Sequence, residues 1–243
     1  MTTILEQELN KTSSSCQFSV INMGVRAYST NNELAMLKKM GLGLKPDHVI
    51  LFFYVNDFIP VNIESRYKRF VGMDWYTFDF SGKPTDDVIK KWKLTQTFRQ
   101  SAFLMWIHDL YRSWENKSNY INKLLIGESD DDMRNNVEQT IKSLDEIRLL
   151  LEKRGIRFTL AVIPLSTQVT KIYPDQRYQP ILKEYALKSE VDFVDLLQDL
   201  RAYYGQHQGS LVIPFDGHYN AQGHKVMADT IFNHLNSFSL CHE

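Results

Sequence analysis

Asp216 and His218 sit two positions apart, directly after the apolar run Leu211-Val212-Ile213. A carboxylate beside an imidazole is the base half of a catalytic triad, in which the acid orients the ring and stabilises its protonated form. The residues that follow read as a helix. Asn220 is a candidate N-cap, and Val226, Met227, Thr230, Ile231 and Leu235 recur at helical spacing. That helix would fasten the Asp–His loop to the body of the protein. Two further polar clusters follow strand-like runs: Asn22-Met23-Gly24 and Asn56-Asp57. A glycine N–H and an asparagine side-chain amide can aim donors at one oxygen, as an oxyanion hole requires. Plainer roles stand beside each. Gly24 could serve a tight turn, Asn56 a cap, and His224 the fastening of the loop.

These residues need a scaffold that brings them together. Ile4 to Leu9 reads as the end of a helix, and Phe18 to Asn22 as a strand. A second helix opens at Thr30, with Glu33 three residues on as a capping box, and runs to Gly41. His48 to Val55 is apolar almost throughout, as a strand buried on both faces of a parallel sheet should be. Residues 58 to 96 are rich in aromatics and charge and read as an insertion or lid, with a strand at Trp75 to Phe80. Thr97 to Trp114 is amphipathic. Asp109 and the scarcity of cations around its apolar face favour core packing over membrane contact. A long helix runs from Asp130 through Leu151 to Gly155, a strand from Arg157 to Ile163, and a helix from Pro180 to Lys188. A short strand, Val191 to Asp195, precedes a helix through Leu196, Leu197 and Leu200. Strands alternating with helices predict a doubly wound α/β sheet in one domain, residues 1–243. Ligands bind such sheets at the carboxyl ends of the strands, where Gly24, Asn56 and His218 would converge.

Composition narrows the function classes. The chain of 243 residues has a net charge of −1, which argues against electrostatic binding of nucleic acid. No apolar run approaches the roughly 20 residues of a membrane span. The first residues, Met1 to Leu9, lack the basic and apolar regions of a signal peptide. Cys16 and Cys241, near opposite ends, give no disulfide framework and no metal-ligand spacing. No cofactor motif is present: no glycine-rich phosphate loop follows a strand, which disfavours a flavodoxin-like nucleotide binder.

Taken together, three blocks resemble the SGNH (GDSL-type) hydrolase superfamily. They are Asn22-x-Gly24-x-x-x-Tyr28-Ser29-Thr30, Lys45-Pro46-Asp47 leading to Val55-Asn56-Asp57, and Asp216-Gly217-His218-x-Asn220-x-x-Gly223-His224. The resemblance spans residues 4 to 235. It implies a flavodoxin-like three-layer α/β/α sandwich and metal-free hydrolysis or transfer of a small-molecule or carbohydrate acyl ester. By position, His218 would be the general base, Asp216 its orienter, and Gly24 and Asn56 the oxyanion donors. The two-residue Asp–His spacing is similar to a subset that acts on carbohydrate acetyl esters. Ala27 stands where many relatives have glycine.

The family's first block, a strand ending in Gly-Asp-Ser with the nucleophilic serine, is not found in this sequence. By the resemblance it should precede the helix containing Leu5 to Leu9, and its strand should lie centrally, between residues 18–22 and 48–55. Ser29 and Ser166 are the serines near expected strand ends, and neither has a nucleophile turn around it. Two readings follow: an SGNH-type ester hydrolase whose nucleophile block lies outside this chain, or a non-catalytic SGNH-like binding protein.

Overall fold

The computed structural model describes residues 1–12, 16–25, 28–58, 68–71, 74–77, 86, 89–90, 93–94, 100–115, 131–170, 178–207, 209–213 and 218–236. Its strands are β1 (His48–Phe53), β2 (Lys68–Val71), β3 (Asp74–Thr77), β4 (Arg157–Val162) and β5 (Asp192–Asp195). Three of them form a parallel sheet in the order β1-β4-β5. His48 lies opposite Arg157 and Phe53 opposite Val162, while Thr159 lies opposite Asp192. The hairpin β2-β3 is separate and antiparallel, within the stretch read as an insertion.

Side chains alternate across a strand, so each strand feeds two cores. Leu51, Phe53, Leu160 and Val162 enter one core. There they meet α2 (Thr30–Lys39), α4 (Asp131–Glu152) and α6 (Tyr178–Lys188), whose inward residues include Leu37, Leu144, Ile147 and Leu182. Ala161 and Val194 enter the other core. It is closed by α1 (Thr2–Thr12), α7 (Leu197–His207) and α8 (Ala221–Leu235) through Leu5, Leu9, Leu200, Met227 and Ile231. Helices on both faces of the sheet make a three-layer α/β/α sandwich.

Several expectations need correction. Residues 18–22 are not a strand. Their backbone is held by side chains of α1 instead: Phe18 N donates to Asn10 Oδ1, Asn10 Nδ2 donates to Phe18 O, and Val20 N donates to Glu6 Oε2. Buried backbone groups must be paired, and here polar side chains replace a ladder. Among the described residues β1 pairs with β4 alone, so its other edge has no ladder partner. The cap of α2 is Ser29, one residue earlier than expected. Its N and Oγ both donate to Asn32 Oδ1, so Asn32 rather than Glu33 closes the box.

The amphipathic helix is α3 (Ala102–Glu115), but its stripe is not core: Phe103 is 65% and Trp106 52% exposed, and Met105 is the buried member. Apolar periodicity shows that a helix has a face, not what covers it. No described helix is long and apolar enough to cross a membrane. Cys16 is disulfide-bonded, against the expectation from spacing. The one other cysteine, Cys241, lies outside the described residues. Separation along the chain sets no limit on a crosslink once α1, just before Cys16, packs against α8 near the other end.

At the amino end of the sheet, four residues from four elements form one hydrogen-bonded chain. His234 Nε2, on α8, lies 2.8 Å from both carboxylate oxygens of Asp192. Thr159 Oγ1 donates to Asp192 Oδ2 at 2.6 Å, and His48 Nε2 lies 2.7 Å from Thr159 Oγ1. Because the threonine gives its one proton to Asp192, it must accept from His48, which places a proton on His48 Nε2. Asp192→Ala should therefore cost about 3 kcal/mol, because the buried Thr159 hydroxyl and His234 lose their acceptor together. Asp192→Asn should cost roughly half as much. Urea unfolding of the two variants measures both, and equal losses would show that Asp192 acts through packing alone.

Candidate active site

The turn carrying Asn56 is built into the end of β1. Tyr54 N donates to Asp57 Oδ2 at 2.6 Å, and Asp57 N donates back to Tyr54 O at 2.9 Å. Val55 and Phe58 are fully buried, and Phe58 packs edge-on against Phe53 with ring centroids 4.8 Å apart. Asn56 is left as the residue of that turn that is not buried.

The loop of His218 is anchored as firmly. Residues 211–213 do not join the sheet, contrary to their strand-like pattern; they fold back on the loop through a bridge between Val212 and Tyr219. Ile213 N donates to His218 O at 2.8 Å, and Asn220 N to Leu211 O at 2.9 Å. Asn220 caps α8 by accepting from Gly223 N at 3.0 Å, as its position predicts. Tyr219 is buried, and its hydroxyl donates to Pro164 O at 2.9 Å, just past the carboxyl end of β4. His218 itself is exposed. Asp216 and Gly217 lie outside the described residues.

Two tyrosines, one beside each loop, are buried at this end of the sheet. Burial raises the Tyr54 hydroxyl to about 12. It also raises Tyr219, which the neighbouring Tyr54 raises further. Asn56 follows β1, and Tyr219, next to His218, bonds Pro164 O just past the paired strand β4, so both loops lie at the carboxyl end of the sheet.

Gly24 is placed differently. Its N–H is donated to Asn22 Oδ1 at 3.0 Å, and its neighbour Met23 packs beside Gly41, beyond the far end of α2. Ser29 is buried and bonded to Asn32. Ser166 begins the short helix α5 (Ser166–Thr170), near Tyr219. His224, in the first turn of α8, has a buried Nδ1 with no partner. Burial lowers its affinity for a proton, and His218 lowers it further.

No family model and no curated protein matches the chain. Among solved structures, an acetyl xylan esterase is similar, with a TM-score of 0.56 and 16% identity, over 96% of this chain and 89% of that one. That likeness is one of fold.

One feature of this end of the sheet escaped sequence reasoning: a pair of acids. Asp57 is 6% exposed, and Glu33 on α2 has one carboxylate oxygen buried without a partner, as does the Thr30 hydroxyl. Burial pushes Glu33 up to about 7. Burial raises Asp57 too, and the nearby Glu33 raises it further, against the bond from Tyr54 N. Only the Asn56-Asp57 block hinted at Asp57, and nothing local marks Glu33 as its neighbour.

The sign of the consequence is fixed. Between its ordinary 4.5 and about 7, Glu33 holds a proton when folded and loses it when unfolded. Its contribution to stability is full below 4.5 and is lost as pH rises to about 7. Asp57 acts in the same direction. We expect stability to fall by about 3 kcal/mol over this window. Glu33→Gln should flatten the slope and be more stable than the parent above neutrality. Urea midpoints against pH check this, and a parent with a flat profile would refute it.

Proposed function

We propose that this chain is the body of an SGNH-type ester hydrolase acting on a small-molecule or carbohydrate acyl ester. His218 is the general base, and Asp216 orients its ring. Asn56 donates to the carbonyl oxygen as it becomes an oxyanion. The observation that supports the reading is that the Asn56 turn follows β1 while the residue after His218 is bonded to Pro164 O past the neighbouring β4, at the same carboxyl end of the sheet. The fold shared with an acetyl xylan esterase agrees with it.

The nucleophile in this reading is a serine on a Gly-Asp-Ser strand, a block this sequence does not contain. His218 takes the serine proton as the oxygen adds to the ester carbonyl, and returns it to the departing alcohol. Water then releases the acyl group with the same base. The vacant edge of β1, among the described residues, supports a further strand beside it. With no such serine, Asn56 and His218 can polarise and orient an ester without cleaving it. That favours, as the second reading, a binding protein that keeps the pocket for recognition. Ester turnover by this chain and by a form carrying a Gly-Asp-Ser strand ahead of α1, each with and without His218, separates the two.

A further inference from the structure

Tyr219, the residue after His218, lines a pocket of about 280 Å³ that no catalytic role claims. Its polar lining is Ser166, Thr170, Tyr204 and Ser210, and its apolar lining is Val169, Leu211, Val212 and the Tyr219 ring. None of these described lining residues is charged. Ser166 Oγ and Tyr204 OH make no hydrogen bond with any described residue. The Thr170 hydroxyl donates to Thr167 O, and the Ser210 hydroxyl donates to Val212 O and accepts from Val212 N, which leaves each oxygen at least one lone pair for a ligand donor.

The pocket wall is rigid for reasons unrelated to its own lining. Gln168, on the turn between Ser166 and Thr170, is fully buried. Its Oε1 accepts from Leu165 N at 2.8 Å and from the Tyr178 hydroxyl, and its backbone carbonyl accepts from Arg201 Nε at 2.9 Å. The opposite wall is held by the Val212–Tyr219 bridge. A preformed concave site with a few fixed polar groups is what small ligands select.

We infer that this pocket is a binding subsite for one neutral sugar ring. The volume is at the small end of ligand sites, which run from roughly 300 Å³, and suits a single ring. The described lining residues offer no charge to a carboxylate or phosphate. An acyl chain would leave the hydroxyls of Ser166 and Tyr204 desolvated and unpaired, which is costly, whereas a polyol supplies both donors and acceptors to them. The aliphatic side chains and the Tyr219 ring complement the apolar faces of a pyranose. This deepens the ester-hydrolase reading and rests on it only for the ester's orientation: the sugar would sit here with its acyl group towards His218.

The test is titration of the 243-residue chain with methyl β-D-glucopyranoside, followed by amide NMR, with glucuronate and 1-hexanol as charged and acyl-like controls. Saturable shifts should appear at Ser166, Thr170, Tyr204 and Ser210 with the glucoside alone. Ser166→Ala and Tyr204→Phe should each weaken binding about fivefold, the size of one neutral hydrogen bond. Gly43→Ala, outside the lining and with nothing within 4 Å of the added Cβ, should leave binding unchanged. No saturable shift at tens of millimolar, stronger binding of hexanol, or binding insensitive to both pocket variants overturns the subsite. Binding without turnover in the Gly-Asp-Ser form would sink the hydrolase reading and leave the subsite standing. Turnover without binding would do the reverse.

Discussion

p-Nitrophenyl acetate hydrolysis by the 243-residue chain should match that of its His218→Ala variant, while a form carrying a Gly-Asp-Ser strand ahead of α1 should turn the ester over. In that form His218→Ala should cost roughly 10⁴-fold or more in kcat, because nucleophile and base act as a unit. Without the serine, Asn56 and the remaining pocket supply binding and polarisation alone. Enzymes stripped of a triad member keep only about 10³–10⁴-fold over water from these sources. Asn56→Ala in the same form should cost about 10²–10³-fold, the usual loss for one oxyanion donor. Turnover by the present chain that His218→Ala abolishes would mean a nucleophile within these residues. Ser166 would be the first to replace, because Ser29 Oγ is buried and engaged by Asn32. A silent Gly-Asp-Ser form would favour the binding-protein reading.

Gly223→Ala should be the most damaging single methyl near the site. Gly223 sits in the first turn of α8, and a Cβ there would lie 2.6 Å from Leu211 O and 2.8 Å from Tyr219 Cδ1. Neither neighbour can yield cheaply. Leu211 O is backbone and already accepts Asn220 N, while Tyr219 is pinned through its hydroxyl to Pro164 O. Overpacking of this kind costs about 3 kcal/mol, and relief must come from shifting the loop between them, which carries His218. Urea unfolding measures the stability loss. In the Gly-Asp-Ser form, kcat should fall with KM little changed. Gly43→Ala is the control: a Cβ there meets nothing within 4 Å, and its effect should stay within about 0.5 kcal/mol. If Gly223→Ala is as mild as Gly43→Ala, the packing of α8 does not position the His218 loop.

The features legible in the sequence are those that short-range chemistry decides. Asn220 as the cap of α8 follows from a side chain reaching an amide three residues away. The stripe of α4 and the nearly continuous apolar run of β1 follow from backbone periodicity. Together they imply helices on both faces of a parallel sheet. Asn56 and His218 stand out as candidates because each follows an apolar run, although only the run before Asn56 is a strand of the sheet. What tertiary structure decided involves partners distant in sequence. Phe18 to Val20 has strand-like residues, yet its backbone pairs with Asn10 and Glu6, and among the described residues no strand lies beside it. Leu211 to Ile213 has the same pattern and turns back on Tyr219 rather than entering the sheet. The stripe of α3 has core-like spacing, but neither core includes it. The bonds from His48 to Thr159 and from Asp192 to His234 join residues 111 and 42 positions apart. Glu33 comes near enough to raise Asp57 only because α2 packs into the core that β1 enters. Hydrogen-bonding capacity and hydrophobicity are properties of a residue and can be read from its letter. Which partner satisfies them is a property of the packed chain, because burial selects among many chemically equivalent donors and acceptors by position alone.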